Sequence, residues 1–533
     1  MRCTIYGVLN LNTFLIIFSL AAILAGGLFS LERQLQMLQQ NSYFAKRYFG
    51  WLKGAFSFKT VVSIAFAAAE VLLSAFELYI PLALVSAVSL LRIPAALKGR
   101  KNSIKPLVFT KRVNRMYFTA AALGMILGVL AFFADNFIAW AVFAAYANIL
   151  PLACFATLFL TKPAEIIISN RFVKDAEKRL SDMPQLKTIG VTGSFGKTSV
   201  KYILGRMLNE KYNTLITPEN FNTPMGIVRT VREKLEPQHE IFVAEMGAKK
   251  VGDIKELCEI AKPDTGIITS VGYQHLDTFG SIENIISTKF ELADYVSAAG
   301  GTMFLNTDND YIREKSAEYK FISYGTRGDA DYTAQNIKYD RNGLKFEILK
   351  CSDGTVIPIH SKLLGEHNAL NITGAAAVAS EFGVSAKEIT SAAASLKAPP
   401  HRLELKSYVG GSLLIDDAYN SNPSGCLSAA KVLGSFEGMK RIIVTPGLVE
   451  LGEKEEECNR RLGEEAAKNA DIIIFVGKKR SRPLIEGVKK TDFDQSNLYV
   501  AESFKDATQI FMPMCDKNTV VMFENDLPDN YLE

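Results

Sequence analysis

Residues Ile189 to Leu204, reading I-G-V-T-G-S-F-G-K-T-S-V-K-Y-I-L, narrow the possible folds more than any other stretch of the chain. Ile189 and Val191 read as the end of a buried strand and Gly193 to Gly196 as a short loop. Val200, Ile203, Leu204, Met207 and Leu208 then recur at helical spacing. A loop between strand and helix turns successive backbone N–H groups toward one point at the positive end of the helix. It can therefore hold a phosphate that no single side chain neutralises. Gly193, Ser194, Gly196 and Ser199 would wrap the phosphates, Lys197 would reach the β- and γ-phosphates, and the Thr198 hydroxyl would lie on magnesium. The loop is a short variant, because the glycine before Gly196 is Gly193, two residues closer than in the usual pattern.

At 533 residues the chain is too long for one domain. Its formal charge of +4, with Lys and Arg nearly matched by Asp and Glu, argues against nucleic acid as a partner. Seven scattered cysteines with no C-x-x-C pair fit a reducing compartment rather than a disulfide framework or a structural zinc.

The apolar residues are concentrated before residue 164. Leu9 to Leu31 carries no charge and is long enough to cross a bilayer, and further apolar segments follow, which favours a retained helix over a cleaved signal peptide. Val61 to Leu91 is broken only by Glu70, Glu77 and Pro81 and reads as a hairpin of two short helices around Glu77 to Pro81, or as one long tilted helix. Met116 to Phe133 and Phe137 to Leu160 form a second hairpin, giving five crossings, or four if the first hairpin is one helix. Lys98, Arg100, Lys101, Lys105, Lys111, Arg112 and Arg115 gather in one loop, and Lys46, Arg47, Lys53 and Lys59 in another. Both are expected to face the cytoplasm and anionic headgroups, which puts everything after Leu160 inside, where ATP is. Glu70, an acid in an apolar run, is expected to face a protein interior, serving either helix contacts or a polar substrate contact.

Beyond the phosphate loop, Ile241 to Ala244, Gly266 to Thr269 and Met303 to Leu305 read as strands separated by helices, hence a parallel sheet with its active edge at the strand carboxyl ends. Glu245 sits at such an end. Residues 331 to 360 alternate in polarity, as in a small antiparallel addition. After Pro399-Pro400, four apolar strands between residues 413 and 523 indicate a second wound sheet.

Seven motifs occur in order: T-G-S-F-G-K-T-S at 192 to 199, N-F-N-T-P-M-G at 220 to 226, A-E-M-G-A at 244 to 248, H-L-D-T-F-G-S at 275 to 281, Lys289-Phe290-Glu291, G-E-H-N-A-L-N at 365 to 371, and D-D-A-Y-N-S-N-P at 416 to 423. Together they resemble the Mur ligase family over roughly residues 165 to 533. The resemblance implies ATP-driven amide formation through an acyl phosphate, with two magnesium ions. It assigns one ion to Thr198 and Glu245, and the other to His275 and a carbamylated Lys289. Lys197, His275, Lys289 and Arg402 carry the catalytic roles. For Asn368 and Asn371 it suggests contacts near the nucleotide base, although an asparagine capping the helix that follows reads almost as well. It brings Arg402 to the γ-phosphate and Asp417 to the nucleotide, and sets Asn222, Thr223, Asn420, Asn422 and Glu450 around the substrates.

The expected architecture is an N-terminal multi-pass α-helical membrane domain (1–163) followed by two α/β domains, a P-loop-type central ATPase domain (164–400) and a Rossmann-like C-terminal domain (401–533). Soluble members of the family begin with a domain that grips a uridine nucleotide, and here membrane helices stand in its place. The expectation is a multi-pass protein of a bacterial plasma membrane with cytoplasmic catalytic domains. It would join a carboxylate donor, a cell-wall precursor that is lipid-linked or otherwise delivered at the membrane, to an amino acid or dipeptide. A poly-γ-glutamate-like ligase and a nucleotide-binding assembly module are the alternatives.

Overall fold

Among the described residues up to Asn170 the apolar stretches fold as helices, and alternating strands and helices follow. The computed structural model describes residues 11–41, 43–54, 58–102, 106–134, 137–418, 422–449 and 451–525. The chain divides into two units between Asn170 and Arg171. That division, like the expected boundary after residue 163, falls within one helix, Leu150–Ser181.

In the first unit, Leu11–Gln40, Tyr79–Lys98 and Lys111–Phe133 are long and apolar enough to cross a membrane. Glu77 takes a left-handed φ of +56° between the helices Phe58–Ala75 and Tyr79–Val88, so residues 61 to 91 do break at the acid. Pro81 lies in the first turn of the second helix, where a missing N–H costs nothing. The stretch from Phe137 to Leu160, expected as one helix, instead breaks at Ile149 into Phe137–Asn148 and Leu150–Ser181. Phe137–Asn148 and Ala153–Ser181 meet at 88°. Pro151 accounts for the break, because it has no N–H to bond the Ala147 carbonyl and is tolerated in the first turn of the helix that starts anew at Leu150. Among the described residues three helices are long and apolar enough to cross, or four if the bent pair is one span, beside the shorter apolar helix Val61–Ala75, against the expected five or four crossings.

Glu70 is fully buried in this unit. Asn148 Nδ2 donates to its Oε2 at 2.8 Å, and Arg92 Nη2 donates to Asn148 Oδ1 at 2.7 Å, so the acid ties three helices together. The basic loop is partly internal: Arg115 forms a two-pronged pair with Glu165 at 2.6 and 2.8 Å, and the Arg112 guanidinium stacks 3.8 Å over the Tyr43 ring.

The second unit carries two sheets. The first runs β1 (Lys187–Thr192), β2 (Thr214–Ile216), β3 (Ile241–Glu245), β4 (Thr265–Ile268), β5 (Thr302–Asn306), β6 (Phe321–Gly325), β7 (Tyr332–Asp340), β8 (Gly343–Lys350) and β9 (Thr355–Ser361). Its spatial order is β2-β3-β1-β4-β5-β6-β7-β8-β9, parallel through β7 and antiparallel from β7 to β9. The second sheet contains β10 (Glu404–Ser407), β11 (Leu413–Asp417), β12 (Lys440–Thr445), β13 (Ile472–Val476), β14 (Leu498–Ala501) and β15 (Thr519–Glu524), in the order β10-β11-β15-β12-β13-β14. Only β10 is antiparallel to its neighbour.

Both faces of the first sheet are covered. Ile189, Val191 and Val243 pack with Val200, Ile203, Leu204 and Met207 on one side, and Phe242 and Ala244 pack with Leu257, Phe290 and Leu292 on the other. Strands buried on both faces read as continuous apolar runs, which is why they were visible in the sequence. β1 pairs with β3 on one side and β4 on the other, with Val191 level with Glu245 and Ile267. The sheet changes direction at β1, and a crevice at such a switch point is where ligands bind in open α/β sheets.

Candidate active site

The helix Lys197–Leu208 starts directly from the glycine loop, with Gly196 at its N-cap and no side chain capping its first turn. Two glycines make the approach possible. Gly193 has φ +151°, and a Cβ there would lie 2.1 Å from Thr269 Oγ1; Gly196 has φ +81°, and its Cβ would lie 2.7 Å from Asn371 Oδ1. The Lys197 ammonium folds back over the loop, donating to the Gly193 and Ser194 carbonyls at 2.7 and 2.9 Å. Burial lowers it to about 8, with Glu245 opposing the shift and Arg402 adding to it. A polyphosphate is the ligand such a group fits.

The loop is less open than the sequence suggested. Ser194 N–H donates to the Ser270 carbonyl and Phe195 N–H to Ser270 Oγ, while Ser194 Oγ both donates to and accepts from the Gly272 backbone. These bonds fasten the loop to the end of β4. The first turn of the helix, with the half-buried Thr198 and Ser199, carries no side-chain cap.

Glu245 closes the other side. Its Oε1 accepts from Thr198 Oγ1 at 3.0 Å and from Asn222 Nδ2 at 3.0 Å, and its Oε2 pairs with Lys201 Nζ at 3.0 Å. Among the described residues no three His, Cys, Asp or Glu side chains converge as a ready-made metal cage. A magnesium ion typically needs only one or two carboxylates, because water and substrate phosphates fill its remaining positions. The Thr198–Glu245 pair beside the phosphate loop fits that demand. Thr223 caps the helix Pro224–Lys234 by accepting from Gly226 N–H, so only Asn222 of that expected pair turns to the carboxylate.

Lys289 is 2% exposed, on the helix Ile282–Ala298. Burial drives its amine well below the usual lysine range, and Lys197 adds to that, while Asp253 and Glu291 oppose it. His275 takes a left-handed φ of +52° as it enters the short helix Leu276–Phe279.

A cavity of about 530 Å³ is lined by Gly196, Ser199, Asn368, Asn371, Arg402, Asp417 and Asn422. Asn368 and Asn371 lie inside the helix His367–Glu381, with Glu366 at its cap, so the capping alternative is excluded. Instead Asn371 Nδ2 donates to Asn368 Oδ1 at 3.0 Å, and Asn368 is fixed to the Leu364 carbonyl. Arg402 stands between His401 and Leu403, both at positive φ. Leu403 N–H donates to Asp417 Oδ1 at 3.1 Å, and desolvation pushes the Asp417 carboxyl up to about 6. Asn422 caps the helix Pro423–Gly434 through Gly425 N–H. Asn420 and Glu450 lie outside the described residues.

One residue of this group was missed. Lys201 is fully buried and bonded to Glu245, although a lysine in a helix reads as solvent-facing. The signal was its place, one turn after Lys197 and between the buried Val200 and Leu204.

Comparison with known proteins bears on this arrangement. Residues 191–379 match the Mur ligase middle domain, and residues 401–524 match the Mur ligase, glutamate ligase domain. The UDP-N-acetylmuramoyl-tripeptide--D-alanyl-D-alanine ligase of Bacillus subtilis is 30% identical over 339 residues, covering 63% of this chain and 72% of the relative. The chain belongs to the Mur ligase family. The ligase of the same name from Escherichia coli is also 30% identical, over 60% of this chain and 73% of its own. Among solved structures, MurF ligase from Thermotoga maritima in complex with ADP aligns with a TM-score of 0.59 at 26% identity, covering 68% of this chain and 81% of that one. MurF from Acinetobacter baumannii aligns equally well, with a TM-score of 0.59 at 26% identity over 67% and 77%. As a Mur ligase the protein is an ATP-dependent, ADP-forming ligase of carboxylates and amines, and the two sheets are its central and C-terminal domains. The matched family models begin at residue 191, well past the N-terminal helices.

Proposed function

We propose that this Mur ligase is held in the bacterial plasma membrane by its N-terminal helices, with its catalytic domains in the cytoplasm. There it adds a dipeptide such as D-alanyl-D-alanine to the peptide carboxylate of a muramoyl-peptide precursor of the cell wall. The observation that carries the reading is the grouping of Lys197, Thr198 and Glu245 at the ends of β1 and β3, across from Arg402 and Asp417 of the second sheet. Named relatives supply the substrate class.

The chemistry follows from charge. Transfer of the γ-phosphoryl group to a carboxylate brings two anions together, so preorganised cations carry most of the stabilisation. Lys197 and Arg402, near enough to feel each other's charge, would supply those cations. Magnesium, when bound at Thr198 and Glu245, supplies further neutralisation between phosphate oxygens. A second ion would call on His275 and on Lys289, which is suited to become a carboxylate-like ligand by carbamylation. Its amine is enclosed and disfavours the ammonium, and the neutral amine is the form that attacks carbon dioxide. The acceptor amine would then displace phosphate from the acyl phosphate, with Asn222, Thr223, Asn420, Asn422 and Glu450 toward the substrates. Closure of the second sheet over the loop would exclude water that hydrolyses the intermediate.

Membrane attachment rests on apolar surface. Phe76, Phe118, Phe133, Ile138 and Phe159 are each at least 70% exposed on helices of the first unit or their ends, far more than an aqueous surface carries in one region. A membrane-embedded unit preceding the catalytic domains favours a donor delivered at the bilayer, such as a lipid-linked muramoyl peptide. Turnover of matched lipid-linked and soluble UDP-linked donors by the full-length protein in nanodiscs tests this. The lipid-linked donor is expected to give the higher kcat/KM, and equal or better use of the soluble donor would refute that part of the reading.

A further inference from the structure

Lys201 Nζ reaches two oxygens and the Tyr202 ring, 4.6 Å away. It lies 3.0 Å from Glu245 Oε2 and donates to the Glu219 carbonyl at 2.5 Å. Its side chain is fully enclosed, a state lysines adopt almost only when their charge is matched. Glu219 stands at a left-handed φ of +41° in the loop running from Thr217 to Thr223. That loop returns twice more to the same acid: Thr217 Oγ1 accepts from Glu245 N–H, and Asn222 Nδ2 donates to Glu245 Oε1, each at 3.0 Å. Gly247 N–H also donates to the Asn222 carbonyl at 2.8 Å, and a Cβ on Gly247 would collide with the Asn222 side chain. Loop and carboxylate are therefore fastened at several points, and Lys201 supplies the charged one.

We propose that Lys201 is a positioning residue that couples the Glu245 carboxylate to the 217–223 loop, so that a divalent cation arriving at Glu245 changes the order of the loop carrying Asn222 and Thr223. This rests on the reading of Glu245 as a cation ligand. A carboxylate has two oxygens. With Oε2 held by the ammonium, Oε1 is the one turned toward Thr198 and the phosphates, and it is also the one Asn222 grips. A cation taking Oε1 must draw on the Asn222 bond, and the loop has to respond while Lys201 holds it at Glu219. Without the ammonium the carboxylate is free to turn and offer both oxygens to the cation. Cation binding then survives, but the loop keeps only its neutral bonds to the carboxylate and loses the charged one.

The test uses the full-length protein in detergent, Mn2+ as the probe cation and a non-hydrolysable ATP analogue. Mn2+ affinity is read by electron paramagnetic resonance and loop order by amide hydrogen exchange across residues 217–223. In the wild type, Mn2+ is expected to slow that exchange about threefold or more. Lys201→Gln is expected to bind Mn2+ at least as tightly, to lose the exchange response, and to fall about tenfold or more in kcat. Lys201→Arg, which keeps the charge, is expected to restore the response. A wild-type loop indifferent to Mn2+, a Lys201→Gln loop that responds like wild type, or parallel loss of Mn2+ affinity and response would each overturn the proposal. If Lys201→Gln does not fold, the wild-type response decides alone. Glu245→Gln separates the two readings. Wild-type Mn2+ affinity in that variant defeats Glu245 as a ligand, and the coupling with it; lost affinity alongside an intact response in Lys201→Gln defeats the coupling alone.

Discussion

Gly193 and Asp417 carry sharp constraints of opposite kinds. A methyl group at Gly193 would meet Thr269 Oγ1 at 2.1 Å and the Ser270 backbone at 3.0 Å, at a φ side chains rarely adopt. Gly193→Ala is therefore expected to displace the phosphate loop, with strain of order 1–3 kcal/mol, and to weaken ADP binding in calorimetry while the far-ultraviolet circular dichroism stays native. Unchanged ADP affinity would contradict the cradle. Asp417 constrains through its proton. Its folded pKa of about 6 lies above the unfolded value of 3.8, so between those pH values the folded state holds a proton the unfolded state has lost. Stability contributed by this group is therefore present at low pH and lost as pH rises through that window. Asp417→Asn is expected to gain denaturation midpoint over the wild type between pH 4 and pH 7, and parallel pH profiles for the two would contradict the assignment.

Elements explain what the sequence revealed and what it hid. The helix Lys197–Leu208 was legible because its buried face repeats at helical spacing, and β1, β3 and β4 because strands covered on both faces are apolar throughout. The break at Ile149 was harder to see, since apolar residues run on through Pro151 and the turn is set by backbone chemistry rather than polarity. The Ser270 clamp on the glycine loop was invisible because it joins residues about 75 positions apart. Glu70 was legible as a buried acid but not its partners, since Arg92 and Asn148 come from other helices. Removing one member of such a buried set typically costs about 3–5 kcal/mol. Glu70→Leu is accordingly expected to lower the melting temperature in detergent, while an unchanged melting temperature would show that the three helices do not depend on it.

The chain joins the catalytic domains of a Mur ligase to helices with the length and apolarity of membrane spans. The catalytic domains were legible from seven ordered motifs, because several of them lie in loops at strand ends, as Gly193 to Gly196 does after β1 and Glu245 does at the end of β3. The donor was not legible, because the unit that would select it is chosen for apolar length, which encodes location more than chemistry. On the proposed reading, the cleft around Lys197, Glu245 and Arg402 makes an amide at the expense of ATP. The most direct test of that reading is phosphate release by the full-length protein in nanodiscs, with product mass read in parallel, given the proposed donor and dipeptide acceptor separately and together. The account predicts release only with both, a product equal to their sum less one water, and neither in Lys197→Ala. Release that does not need the acceptor, or that persists in Lys197→Ala, would contradict it.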